Sequence, residues 1–319
     1  MAEILNAHGS RNDIFVVPMT PRDFASDDLR AFVRDLCDRA GPFGGDGVYF
    51  YDAAPPVPEA WFFNPDGSSA EFCGNGMRCL GRVVLDQRGT DHAVIRSGPT
   101  EYTVRRGQPT GEGVQQVSLE HPAVDFSPPR AVVKDRNPLL AASLPELDPA
   151  LTFTAVTIGN PHLVAAVDKY VEADLVAMGE AIAADKSAFP AGANLSVLLP
   201  LTPDDVFVRT FERGAGLTAS CGSGMAASRA VYSQISPVDP ERRVLVRNAG
   251  GTATVSLNVQ ENRWHPVVQG NATYVYRAEV DPAALTRDAV ERYDDEERAY
   301  ALLEQQNTAR LHAAGIETA

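Results

Sequence analysis

The chain has 319 residues, 44% of them apolar and 22% charged, and a formal net charge of −14. That length accommodates two domains with separate cores, in the balance of a globular protein. The acidic excess argues against nucleic-acid binding, which needs a basic face. No apolar run approaches the roughly 18 residues of a membrane helix, and 4 cysteines are too few for a disulfide framework in a chain this long.

The opening MAEILNAHGSRND has no basic segment followed by an apolar one, so no secretory signal is expected and a cytoplasmic location is. Residues 13–19 (DIFVVPM) read as a strand. Ser26 is expected to cap a helix whose apolar face is Leu29, Phe32, Val33, Leu36 and Cys37, which makes Cys37 a core thiol. Residues 46–51 and 61–63 read as strands joined by the Pro-rich DAAPPVPEA. The aromatic strand runs into a Gly-rich turn, then Cys73, then a helix from Met77 to Asp86. Short alternating strands follow at 93–97, 101–105 and 114–119.

From 121 to about 149 the chain is Pro-rich and weakly patterned, and the crossing between two halves is placed there. Strands are then expected at 152–158 and 163–167, a helix within 170–185, and strands at 195–199 and 206–211. A helix after Cys221 and strands at 244–247, 252–259 and 273–276 complete the second half. The expected division is 1–125 for a first half-domain carrying Cys73 and 126–280 for a second carrying Cys221. Residues 281–319 would be a charged helical extension, solvated or packed on the surface, with an oligomer contact as the alternative. Many short strands with two helices per half define an α+β fold rather than a strict βαβ alternation.

Two copies of one motif organise this chain: Cys73-Gly-Asn-Gly-Met and Cys221-Gly-Ser-Gly-Met, 148 positions apart. The same offset joins Asn12 to Asn160, Gly44 to Gly192, and Asp46 to Asn194. A register shared at separated points marks a duplicated half-domain. A cysteine just before a helix sits among unpaired N–H groups at the positive end of the dipole, a setting expected to lower its pKa by about one unit or more. One copy alone reads best as a tight turn with an inert thiol; two in register, facing each other across a cleft, read as a pair of acid/base groups. Groups on opposite faces of one carbon suit inversion of a stereocentre, a thiolate removing the proton and a thiol delivering another. The GNG and GSG turns expose N–H groups for a carboxylate and its developing carbanion.

Metal ligation is not expected, because Cys73 and Cys79 are six apart with no CxxC or HExxH spacing, and six residues turn Cys79 away from Cys73. Neither Gly-rich turn matches a nucleotide-binding pattern, and no cofactor is expected.

These residues resemble the diaminopimelate epimerases. HGSRND at 8–13, FGGDG at 43–47, NPDGSSAEFCGNGMRC at 64–79, GNPH at 159–162, FPAGAN ending at Asn194 and ERGAGLTASCGSG at 212–224 are similar to that family's signatures, in the same order. The resemblance spans residues 8 to about 277. It implies two pseudo-symmetric α/β half-domains, each with a mainly antiparallel sheet around a central helix. It also implies pyridoxal-independent interconversion of LL- and meso-diaminopimelate, for lysine and cell-wall precursors. Carried over by position, Cys73 and Cys221 are the base/acid pair. The backbone of Gly74, Asn75, Gly222 and Ser223 would hold the reacting carboxylate. Asn12, Asn64, Asn160, Asn194 and Arg213 would read the distal end, with Glu212 and His162 beside the thiols. Read without the family, Asn160 before Pro161 is a turn former and His162 a strand histidine.

Arg11 departs from the pattern, standing where the family usually has glycine, and the tail beyond about 280 exceeds the usual length. The alternative reading is a two-thiol racemase of the same fold acting on another amino acid, such as histidine or proline; a non-catalytic amino-acid binder is a third. The expected partner is a small amino acid, with no nucleic acid and no membrane, and a homodimer is compatible with the sequence.

Overall fold

Each half of the chain wraps strands around one buried helix. The computed structural model describes residues 2–281 and 287–318, so part of the expected 281–319 extension lies outside the described residues. The first half runs β1 (Ala2–Gly9), β2 (Asn12–Val17), α1 (Ser26–Cys37), β3 (Gly47–Asp52), β4 (Glu59–Phe63), β5 (Ser69–Ala70), α2 (Gly74–Arg88), β6 (His92–Ser97), β7 (Thr100–Arg106) and β8 (Gln116–Glu120). After β9 (Ala142–Leu144) the order repeats. It runs β10 (Asp148–Ile158), β11 (Asn160–Ala166), α3 (Glu172–Ala184), β12 (Asn194–Thr202), β13 (Asp205–Glu212), β14 (Gly216–Leu217), α4 (Gly222–Ile235), β15 (Val244–Asn248), β16 (Gly251–Gln260) and β17 (Arg263–Asn271). The chain ends with β18 (Thr273–Val280), β19 (Arg287–Arg292) and α5 (Asp294–Ala313).

The pairings repeat with the elements. β1 and β2 are antiparallel, β2 and β3 parallel, β3 and β4 antiparallel, and β4 and β6 parallel. β10 to β11, β11 to β12, β12 to β13 and β13 to β15 follow in the same senses. The 148-residue offset is therefore a structural duplication, and the two α+β half-domains match the expected fold class.

Period-two alternation explains how one set of strands serves two helices. Ile14, Val16, Tyr49 and Tyr51 pack on α2 with Met77, Leu80 and Val84. Their neighbours Phe15, Val17, Val48 and Phe50 pack on α1 with Leu29, Phe32, Val33, Leu36 and Cys37. In the second half Val164, Leu198, Val206 and Val208 meet Met225, Ala226 and Ala230 of α4. Leu163, Leu195, Val197 and Phe207 meet Leu175, Met178 and Ile182 of α3. Each fully buried Val, Leu or Phe contributes on the order of 1.5–3 kcal/mol, so one face of each sheet anchors the central helix and the other face anchors α1 or α3.

The second glycine of each motif is required by this packing. A Cβ on Gly76 would stand 2.8 Å from the Tyr49 ring, and one on Gly224 would collide with Thr210 Oγ1.

Three expectations change. The compact units are 1–119 with 269–305, and 120–268 with 306–319, rather than divisions at 125 and 280. The chain returns to the first unit because β18 pairs antiparallel with β1. The segment after 281 is not one helix: β19 pairs with β18 before α5 begins, and Tyr300, Asn307 and Leu311 bury one face of α5. At α1, Ala25 rather than Ser26 is the extended residue before the first turn. Strands β1, β5, β9, β14 and β17 carried no sequence expectation.

Candidate active site

Cys73 and Cys221 are each the extended residue that opens the central helix, α2 and α4. The sequence places them there because a Gly-rich segment follows that can begin a helix tightly packed against the strands. Met77 N–H donates to Cys73 O at 2.8 Å, and Met225 N–H to Cys221 O at 2.9 Å, so both thiols hang at the same point of the first turn.

In the first unit the Cys73 thiol donates to Asn12 Oδ1 at 3.5 Å. Its backbone is clamped by Tyr49: Cys73 N–H donates to the tyrosine oxygen at 3.0 Å, and the hydroxyl lies 3.3 Å from Cys73 O. Asn75 is buried, and its Oδ1 accepts from Arg78 Nη2 at 2.9 Å. Asn64 is held in its own turn, donating through Nδ2 to Ser68 Oγ at 3.0 Å. Gly74 begins α2.

The second unit is more polar around its thiol. Cys221 Sγ lies 3.0 Å from Glu212 Oε2, and Thr218 Oγ1 donates to the other carboxylate oxygen at 2.5 Å. Ser223 Oγ is 3.7 Å from the sulfur and 3.3 Å from Asn160 Nδ2. Asn160 Oδ1 meets His162 Nε2 at 3.0 Å. Asn194 Oδ1 accepts from Arg213 N–H at 2.8 Å, while the exposed Arg213 side chain donates to Ala191 O at 2.6 Å. Gly222 and Ser223 form the first turn of α4.

Burial pushes the Cys221 thiol well above its ordinary value, and the Glu212 charge adds to this; the Gly224 N–H works in the opposite direction. The expected lowering of this thiol's pKa by the helix terminus is therefore overturned. Burial also raises Glu212, against the hydrogen bonds from Cys221 and Thr218. Burial lowers His162 to about 3, with His121 and Arg213 adding to it, so His162 is neutral in the folded protein at any ordinary pH. Burial raises Cys37 and Cys79 to about 12 each, as suits core thiols.

The structure thus gathers Asn160, His162, Glu212, Cys221, Gly222 and Ser223 around one thiol, and Asn12, Gly74 and Asn75 near the other. Asn64, Asn194 and Arg213 are engaged with neighbouring turns. Tyr49 and Thr218 carried no sequence expectation. Tyr49 had a signal, since alternation puts it on the same face of β3 as Tyr51, towards α2.

The duplicated α+β half-domain is a fold this chain shares with solved structures of low sequence identity. A PhzF-family phenazine biosynthesis protein from Bacillus anthracis aligns with TM-score 0.63 at 14% identity, over 88% of this chain and 99% of that one. A hydroxyproline epimerase from Agrobacterium vitis aligns with TM-score 0.60 at 16% identity, over 88% and 90%. Those identities speak for the fold alone.

The chain belongs to the diaminopimelate epimerase family, whose sequence model matches residues 4–112 and 154–275. The diaminopimelate epimerase of Clostridium acetobutylicum is 31% identical over 302 residues, covering 93% of this chain and 90% of that protein. That of Listeria welshimeri is 32% identical over 301 residues, covering 90% and 88%.

Proposed function

We propose that this protein is a cofactor-independent epimerase that interconverts LL- and meso-diaminopimelate by two-cysteine acid/base chemistry, supplying lysine and cell-wall precursors. The observation that carries this reading is the pair of cysteines at the same register, each opening the central helix of its half-domain. Membership in the family supports the substrate.

One cysteine, as thiolate, takes the α-proton and leaves a carbanion stabilised by its carboxylate. The other, as thiol, delivers a proton to the opposite face. In the reverse direction the roles exchange, so each sulfur must pass through both states. Glu212 supplies that exchange for Cys221: its carboxylate accepts the thiol proton and returns it. A raised carboxyl pKa makes the transfer less uphill than an ordinary carboxylate would. Cys73 lies beside the neutral Asn12 carboxamide, and Tyr49 fixes its backbone.

The first-turn N–H groups at Gly74, Asn75, Gly222 and Ser223 bind the reacting carboxylate as its charge grows. Since Asn75 turns its side chain to Arg78, it acts here through its backbone. Asn12, Asn64, Asn160, Asn194 and Arg213 read the distal end, and neutral His162 orients Asn160. Both thiols must stay reduced, which supports a reducing compartment such as the cytoplasm.

The test is α-proton exchange followed in D₂O over a panel of diaminopimelate, lysine, histidine and proline. Selective exchange on diaminopimelate supports the reading. Faster exchange on proline or histidine makes the protein a racemase of another amino acid.

A further inference from the structure

The turn between β1 and β2 has two adjacent non-glycine residues in the left-handed region, Ser10 at φ 55° and Arg11 at φ 60°. Gly9 pairs with Asn12 across it, so this is a two-residue hairpin turn of the kind normally occupied by Asn-Gly or Gly-Gly. Two such residues are strained, and they persist only where their surroundings hold them. The next residue is Asn12, which accepts the Cys73 thiol hydrogen.

The surroundings that hold the turn come from α5. Arg11 grips Glu304 with Nε at 3.1 Å and Nη2 at 2.9 Å, and reaches Glu297 Oε2 with Nη1 at 3.1 Å. Its guanidinium lies 4.7 Å from the centre of the Tyr300 ring. Glu297, Tyr300 and Glu304 are three and four positions apart, one face of the helix. His8 joins them. Its Nδ1 faces two donors, Arg11 N–H at 3.3 Å and Asn271 Nδ2 at 3.2 Å, which leaves the ring hydrogen on Nε2, 2.8 Å from Glu297 Oε1. Ser10 N–H donates to the buried Asn271 Oδ1 at 2.7 Å. Burial works against the Arg11 charge, yet the two glutamates leave its pKa raised, so the guanidinium stays ionised.

We infer that Arg11 is a positioning residue: held by Glu297, Tyr300 and Glu304 of α5, it fixes the turn that presents Asn12 to Cys73. The C-terminal helix is then part of the apparatus that sets the reactivity of one thiol. The inference rests on the epimerase reading for its consequence in turnover, but not for its consequence at Cys73.

The experiment compares the unmutated protein with Arg11→Gly, Glu304→Gln and the charge-swapped pair Arg11→Glu/Glu304→Arg. Glycine adopts the turn without strain, so Arg11→Gly removes the brace while favouring the fold. Two readouts are taken: kcat and KM on diaminopimelate, and the pH dependence of iodoacetamide alkylation at each cysteine, read by peptide mapping. The expected result is a fall of at least about tenfold in kcat for both single variants, with KM raised as well because Asn12 also reads the distal end. The alkylation midpoint should move at Cys73 and stay fixed at Cys221, and the charge-swapped pair should recover activity. Unchanged kcat and Cys73 alkylation in folded Arg11→Gly overturns the inference, as does an equal shift at both cysteines, which marks a general loosening. If the unmutated protein turns over no amino acid, the epimerase reading fails, and the alkylation readout still decides the role of Arg11.

Discussion

Cys221 Sγ lies 3.0 Å from a carboxylate oxygen of Glu212, whereas the Cys73 thiol meets the amide oxygen of Asn12 at 3.5 Å. At the register position of Glu212, 148 residues earlier, stands Asn64. The duplication has kept the thiols and the strands while making their electrostatic surroundings unequal.

That inequality gives a pH prediction. Glu212 must be ionised to accept the Cys221 proton, and its pKa is raised by burial. Activity should therefore fall with decreasing pH through a limb lying above the ordinary carboxylate value of about 4.3. Glu212→Gln should abolish that limb and lower kcat by about a hundredfold or more. For stability the sign is opposite. A carboxyl whose folded pKa is raised favours folding below its unfolded value and loses that advantage as pH rises through the folded value. Glu212→Gln should thus match the unmutated protein in Tm at pH 4 and exceed it at pH 8. A glutamine variant with unaltered pH-rate behaviour would remove Glu212 from the proton path.

Arg213 tests the reading of the distal end. Its exposed side chain donates to Ala191 O, a contact that a carboxylate can replace. A guanidinium holds a carboxylate through two parallel hydrogen bonds that lysine cannot reproduce. Loss of a charge-assisted contact costs about 1.5–3 kcal/mol, so Arg213→Lys should lower kcat/KM for diaminopimelate roughly 10- to 150-fold. Steady-state kinetics that leave kcat/KM within twofold would assign distal recognition elsewhere.

Gly76→Ala should destabilise the protein although alanine is the better helix former. The added methyl would meet the Tyr49 ring at 2.8 Å and Ile14 Cγ2 at 3.2 Å. Overpacking costs about 1–3 kcal/mol, more than the roughly 1 kcal/mol gained in helix propensity. Displacing Tyr49 also loosens its clamp on Cys73, so activity should fall along with the urea midpoint. A midpoint equal to or above that of the unmutated protein would show that the second motif glycine is not there for packing.

The fold was largely legible because its signals are local and doubled. Alternating strands such as 93–97, and the C-G-x-G-M turn before each helix, recur in both halves. β1 escaped because MAEILNAHG mixes small and polar residues, and its place depends on pairing with β18, about 270 residues away. The extension misled for the same kind of reason. Its Ala, Glu and Arg content favours a helix throughout, but backbone pairing with β18 draws residues 287–292 into a strand. At the site, residue identities could be read from the motifs. The pKa of Cys221 could not, because local reasoning sees the helix terminus and not the burial and carboxylate that outweigh it. The partners of Arg11 were equally hidden, lying nearly 300 residues further along the chain.

The central claim is that both cysteines act on diaminopimelate. It is tested most directly by proton NMR of LL-diaminopimelate in D₂O with the unmutated protein, Cys73→Ser and Cys221→Ser, each shown folded by circular dichroism. The unmutated protein should form the meso isomer with solvent deuterium at the inverted carbon. Each serine variant should lose that conversion by about a thousandfold or more, because a hydroxyl cannot supply the thiolate near neutral pH. Conversion by either variant at close to the unmutated rate, or no conversion by the unmutated protein, would contradict the account.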